Sequence, residues 1–170
     1  MLDDLTEMTV TAWINPTSYG ENNYGRIVDK GTDPTSSSGW SLFTCNDGGT
    51  MCTNAAAFFI NFGAGPTGWW STSDNSVATG QWTHLAVTYN RSSPSNDPII
   101  YVNGHPSTLT ERNTPSGTVS SDAAANLLVS NRNAGDRTFN GTIDDVRIFN
   151  YILTPAQIRT EMNNGAAIKF

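Results

Sequence analysis

Two consecutive indoles, Trp69 and Trp70, follow Gly68 and precede Ser71, Thr72, Asp74 and Asn75. In an extended strand successive side chains point to opposite faces, so only one of the pair can serve a core. The other can act as a flat apolar platform. Pyranose rings present apolar C–H faces that stack on aromatic rings, while neighbouring polar groups take the sugar hydroxyls. Asp74 and Asn75 are candidates for that polar role. Tyr24, and more weakly Tyr19, lie in a Gly/Asn-rich loop and are aromatic candidates of the same kind. The competing use of both indoles is packing, between sheets or beneath a loop.

A second chemistry is oxygen ligation. If 143–150 is a strand, Asp144 shares a face with Val146 and Ile148. That face is apolar and should point inward, where a carboxylate needs hydrogen-bond donors or a cation. Asn131, Asn133 and Asp136 place further oxygen-bearing side chains ahead of Phe139. They could converge on calcium, which takes hard oxygen ligands, or on a sugar, or form only a polar turn. The EF-hand pattern is absent.

Catalytic arrangements are hard to assemble. Glycoside hydrolysis needs two carboxyl groups about 5–10 Å apart. The four glutamates, Glu7, Glu21, Glu111 and Glu161, are isolated from one another. Asp144 and Asp145 are adjacent, so a strand would point them to opposite faces. Neither Gly-x-Ser-x-Gly nor His-Glu-x-x-His occurs. His84 shares a strand face with Trp82 and Ala86 and reads as a hydrogen-bonded strand residue. His105 follows an Asn-Gly turn and should be solvated. The expectation is a protein that is not an enzyme.

Cys45 and Cys52 flank Asn46-Asp47-Gly48-Gly49, a strong hairpin-turn signal. On neighbouring strands they would be close enough to bridge, and a disulfide is expected, with two free thiols as the alternative. A bridge would imply an oxidising compartment. Zinc is not expected, since two cysteines without nearby histidines cannot complete a tetrahedral site.

The elements that must position these residues are strands. They are expected at 8–14, 26–30, 40–45, 56–62, 69–73, 82–89, 99–102, 126–130 and 143–150. Turn signals separate them at 31–34, 63–66, 93–94, 103–104 and 134–136. Many short strands with regular turns mean a sandwich or jelly roll. One helix is expected: Thr154 is a good N-cap, Pro155 suits the first turn, Gln157 completes a capping box, and Asn163-Asn164-Gly165 ends it. Charged residues make up 14% of the chain, against a typical ~25%. The net charge is −6 with no basic run, which argues against a surface that tracks nucleic-acid phosphates. No apolar stretch is long enough to span a membrane. Met1-Leu2-Asp3-Asp4 carries no apolar signal-peptide core, and 1–170 reads as one domain.

Two blocks carry a resemblance. One is Gln81-Trp82-Thr83-His84-Leu85-Ala86-Val87-Thr88-Tyr89, answered by Ile99-Ile100-Tyr101-Val102-Asn103-Gly104. The other is Phe139-Asn140-Gly141-Thr142-Ile143-Asp144-Asp145-Val146-Arg147-Ile148-Phe149-Asn150, continuing to Ile158. With the Trp13 strand, Ile27–Gly31 and Gly39-Trp40-Ser41-Leu42, they resemble the LamG-like jelly rolls of the laminin G, pentraxin and concanavalin A-like superfamily. The resemblance implies an all-β, two-sheet antiparallel jelly-roll sandwich with one short C-terminal helix. It implies that Trp13, Trp40 and Trp82 are core residues, and that a structural calcium would use an Asp at the position of Asp144. Glucanases of this fold show Glu-x-Asp-x-x-Glu on one strand, which this chain lacks. Relatives carry a strand before the one matching Met8, where this chain has seven residues; an open edge there could recruit another chain. The resulting expectation is a non-catalytic, lectin-like carbohydrate-binding module, extracellular or on a cell surface, within a larger protein. A module that adheres to a surface or matrix protein without binding sugar is the alternative, and a glycan-active enzyme of the same fold the third reading.

Overall fold

The computed structural model describes residues 2–31, 38–63 and 65–165. The turn expected at 31–34 lies outside them from Thr32 onward, as does Ala64 in the turn at 63–66. The strands are β1 (Glu7–Pro16), β2 (Arg26–Lys30), β3 (Trp40–Cys45), β4 (Ala55–Ile60), β5 (Gly68–Thr72), β6 (Thr83–Asn90), β7 (Ile99–Val102), β8 (His105–Pro106), β9 (Leu109–Asn113), β10 (Leu127–Val129) and β11 (Gly141–Phe149). One helix follows, α1 (Pro155–Gly165). The five-stranded sheet runs β11-β1-β6-β7-β8 and the six-stranded sheet β10-β2-β3-β4-β5-β9. Every pairing is antiparallel. The expected two-sheet sandwich with a C-terminal helix is what forms.

Alternation decides which side chains meet between the sheets. Met8, Val10, Ala12 and Ile14 of β1 and Leu85, Val87 and Tyr89 of β6 point inward. They meet Trp40 and Leu42 of β3, Ala56, Phe58 and Ile60 of β4, and Trp70 of β5. Burying each large apolar side chain contributes about 1.5–3 kcal/mol. Gly68 lacks a Cβ because the Trp70 ring occupies that space. The β7–β8 turn uses Asn103 and Gly104 with φ of 49° and 76°, the left-handed pair a tight hairpin requires.

Helix α1 covers the outward face of the five-stranded sheet. The expected capping box forms: the Thr154 N–H donates to Gln157 Oε1 at 2.8 Å, and the Gln157 N–H donates to Thr154 Oγ1 at 3.3 Å. Leu153 and Ile158 pack on Ala86 and Tyr101. Trp13 Nε1–H donates to the Met162 carbonyl at 3.3 Å, and Arg147 pairs with Glu161. Trp13 is therefore structural, under the helix, and Trp40 is structural between the sheets. Trp82 is not a core residue. It precedes β6 on the face opposite Leu85 and is 46% exposed. His84, on that same outward face, is buried edge-on against Trp13, and its Nδ1 has no hydrogen-bond partner.

Three further expectations are corrected by local geometry. In β11, Thr11 opposes Arg147 while Trp13 opposes Asp144, so one extra residue sits in β11. Asp145 absorbs that bulge in the left-handed region at φ 48°. The alternation resets there: Ile143, Val146 and Ile148 pack on the core, and Asp144 is exposed, its Oδ1 accepting from the Asp145 N–H. Second, Cys45 and Cys52 are bridged, but Cys52 lies in the loop before β4 rather than on a strand. Asp47 holds that loop by accepting from the N–H groups of Met51 and Cys52. Third, Tyr19 is no surface platform; it is buried and donates its hydroxyl to the Val77 carbonyl at 2.7 Å.

Asp3 and Asp4, ahead of β1, take part in a charged clamp. The Asp4 N–H donates to Asp122 Oδ1 at 2.8 Å and the Asp122 N–H donates to Asp4 Oδ1 at 2.9 Å. Asp122 is buried and accepts from Arg91 Nη1 at 2.8 Å, while Lys30 Nζ donates to Asp3 at 2.9 Å. No helix of the described residues is long and apolar enough to cross a membrane.

Candidate functional site

The outer face of the six-stranded sheet carries its own apolar cluster. β3 sends Leu42 inward and Phe43 outward; β4 sends Phe58 inward and Phe59 outward. β5 divides its indoles in the same way. Trp70 is 1% exposed and in the core, with Nε1–H donating to Asp97 at 3.0 Å. Trp69 stands half-buried on the outer face. Ring centroids lie 5.9 Å apart for Phe43 and Trp69, 6.5 Å for Phe59 and Trp69, and 5.9 Å for Tyr24 and Trp69. These are the tilted and edge-to-face separations that aromatic quadrupoles favour.

Tyr24 arrives from the β1–β2 loop. Gly20 and Gly25 touch backbone to backbone there, which only residues without a Cβ allow, and the Gly25 N–H donates to the Tyr19 carbonyl at 2.8 Å. The Tyr24 hydroxyl donates to Asp47 Oδ2 at 3.0 Å. Burial, and then that carboxylate, push the phenol pKa up. The disulfide packs into the same cluster.

Three arginines complete the site. Arg26 of β2 opposes Phe43, and its guanidinium lies 4.3 Å from the Phe43 ring centroid, a cation–π contact. Its Nε is buried without a hydrogen-bond partner and sits 3.4 Å from Asp29. Burial is the main cause that lowers its pKa to about 10; Asp29 opposes this, and Arg132 and Arg137 add repulsion. It stays charged at neutral pH. Arg132 and Arg137 come from the β10–β11 loop. Asn131 Oδ1 accepts from the N–H groups of both, and the Arg26 N–H donates to the Arg137 carbonyl at 2.9 Å. Asp136 takes a two-pronged contact from Arg132, at 2.6 and 2.7 Å, and its pKa falls to about 2 chiefly through that bond.

Together Tyr24, Phe43, Phe59 and Trp69 with Arg26, Arg132 and Arg137 line a cavity of ≈ 240 Å³. Of the sequence-based binding candidates, Trp69 and Tyr24 meet in this cavity. Trp70 does not, being core. Asp74 and Asn75 lie past the far end of β5, where they hold the β3–β4 loop: Asp74 accepts from the Thr53 N–H, and Asn75 from Asn54 Nδ2. The proposed oxygen ligands lie as follows. Asn131 organises its loop, Asp136 is held by arginine, Asn133 is exposed and Asp144 is on the outward face. Among the described residues, no group of three or more His, Cys, Asp or Glu could hold a metal. Sequence reasoning missed Phe43, Phe59 and the arginines. The available signal was β4, apolar at every position, which loads both faces of the strand.

The family model that matches residues 1–159 is described as the concanavalin A-like lectin/glucanases superfamily. The chain belongs to this superfamily. No curated protein matches it. Solved structures with the same fold include a heptameric SAP-like pentraxin from Limulus polyphemus (TM-score 0.62, 16% identity, 92% of this chain and 69% of the other). A putative carbohydrate-binding protein from Bacteroides ovatus is also similar (TM-score 0.64, 18% identity, 91% and 40%). A third is a botulinum neurotoxin type C structure, whose cell entry depends on two ganglioside molecules (TM-score 0.60, 17% identity, 95% and 36%). At these identities the likeness is one of fold.

Proposed function

We propose that this chain is a non-catalytic, lectin-like carbohydrate-binding module of an extracellular or cell-surface protein. The observation that carries the reading is the half-buried Trp69, held by Tyr24, Phe43 and Phe59 in the wall of the ≈ 240 Å³ cavity. A rigid aromatic wall beside hydrogen-bond donors is what a pyranose ring requires. The superfamily, a neighbour described as a putative carbohydrate-binding protein and a neighbour dependent on gangliosides support it. The charged groups lining the cavity are guanidinium groups, which suit binding rather than the paired carboxyls of glycoside hydrolysis. The bridged cysteines fit an oxidising compartment.

A broad glycan array tests the reading. Reproducible signal on a related set of saccharides supports it. Silence on every saccharide, with the protein folded, would favour adhesion to a protein surface. Release of reducing ends from a bound glycan would favour the enzyme.

A further inference from the structure

The carbohydrate reading leaves the class of sugar open, and the arginines bear on it. The chain has nine lysines and arginines against fifteen acidic residues, yet three of the nine line this one cavity. Among the described residues, no aspartate or glutamate lines it. Among the described residues, Asp29 pairs with Arg26, and Asp136 with Arg132 and Arg137. Arg26 is 6% exposed, and its Nε, 3.4 Å from Asp29, makes no hydrogen bond among the described residues. Arg137 spends Nη1 on the Asp136 carbonyl at 2.8 Å and lies 5.9 Å from the Tyr24 ring, with its side chain 23% exposed. The Trp69 Nε1–H is a further buried donor without a partner. The lining thus joins donors and positive charge to an aromatic wall.

Neutral sugars do not call for that arrangement. A hydroxyl both donates and accepts, and guanidinium groups offer only donors. An anionic group accepts from several N–H groups at once and forms charge-assisted, often two-pronged bonds with arginine. Resting on the carbohydrate reading, we propose that the cavity binds an acidic saccharide. Its ring stacks on Trp69 and its carboxylate or sulfate lies against Arg26 and Arg137. The anion offsets the repulsion among the three guanidinium groups.

The test uses the full chain on an array of paired polysaccharides. Alginate, polygalacturonate, hyaluronan and dextran sulfate each stand beside a neutral counterpart, carboxyl-reduced or desulfated. Salt is held at about 0.15 M, where charges farther apart than ~8 Å are largely screened. The expected result is signal on acidic members and none on their counterparts; carboxylated against sulfated members then separates the two anions. Arg137→Gln should weaken that signal about ten- to one-hundred-fold, the worth of a hydrogen bond to a charged group. Its melting temperature should stay unchanged. Arg159→Gln removes the same charge from the exposed face of α1 and should leave binding intact. Equal signal on acidic and neutral members, lost in Trp69→Ala, would overturn the acidic specificity and keep the carbohydrate site. Acidic signal that Arg137→Gln leaves alone, or that both arginine variants reduce equally, would overturn the inference. Silence on every member would overturn the acidic specificity, and the broad glycan array then decides the carbohydrate reading separately.

Discussion

Trp69 and Trp70 are adjacent in sequence and separated by the thickness of a sheet. Trp70→Ala empties a fully buried site and should destabilise the fold by about 3–5 kcal/mol, read from denaturant unfolding. Trp69→Ala opens a half-buried surface cluster and should cost clearly less. His84 presents a different case. Burial between Trp13 and the α1 region lowers its pKa to about 4, from the ordinary 6.5; Glu161 and Asp145 oppose that shift, and Arg147 adds to it. The unfolded chain therefore binds a proton that the folded one refuses between these values. Stability should be intact above pH ~6.5 and fall progressively toward pH 4, by as much as about 3 kcal/mol. Unfolding curves of the wild type and His84→Leu across that range check it; parallel curves would show that His84 is not the group responsible. Asp144→Ala, on the exposed side of the bulge, should stay within about 0.5 kcal/mol of wild type, with calcium or with chelator. The split of the two indoles was legible because strand alternation is strict. The position of Asp144 was not, because a left-handed Asp145 inserts a residue that alternation cannot foresee.

At the scale of elements, the cavity is assembled from β2, β3, β4 and β5 and two loops distant in sequence. The strands were legible where apolar residues alternate, as in Met8–Ile14 and Leu85–Tyr89. β9 escaped because Leu109–Asn113 is mostly polar and exposed. The convergence of Arg26 with Arg132 and Arg137 could not be read, since it depends on β10 pairing with β2 and on Asn131 folding the loop after it. The β3–β4 loop is stapled by Cys45–Cys52, a closure of seven residues' separation that packs against the Trp69 cluster. Reduction should remove about 2–3 kcal/mol by freeing the unfolded chain. Thermal unfolding with and without reductant measures this, and an unchanged midpoint would mean that Asp47's hydrogen bonds alone hold the loop.

In the whole molecule, the sandwich is closed at one end by the clamp of Asp3, Asp4, Lys30, Arg91 and Asp122. These charges are scattered along the sequence and carry no pattern, so only the folded chain shows them to be one network. Asp122→Ala would leave Arg91 and Lys30 buried without that carboxylate. The expected loss is about 3–5 kcal/mol, without effect on the cavity itself. The clamp lies at one end, α1 covers one sheet, and the cavity lies on the outer face of the other, walled by Tyr24, Phe43, Phe59 and Trp69. One prominently exposed indole, Trp82, lies outside that wall. The most direct measurement is therefore the affinity, by calorimetry, of wild type, Trp69→Ala and Trp82→Ala for the saccharide that gives the strongest array signal. Loss of the stacking platform should weaken Trp69→Ala about ten-fold, while Trp82→Ala binds as wild type. A loss confined to Trp82→Ala, or undiminished binding by Trp69→Ala, would contradict a saccharide site on the six-stranded sheet.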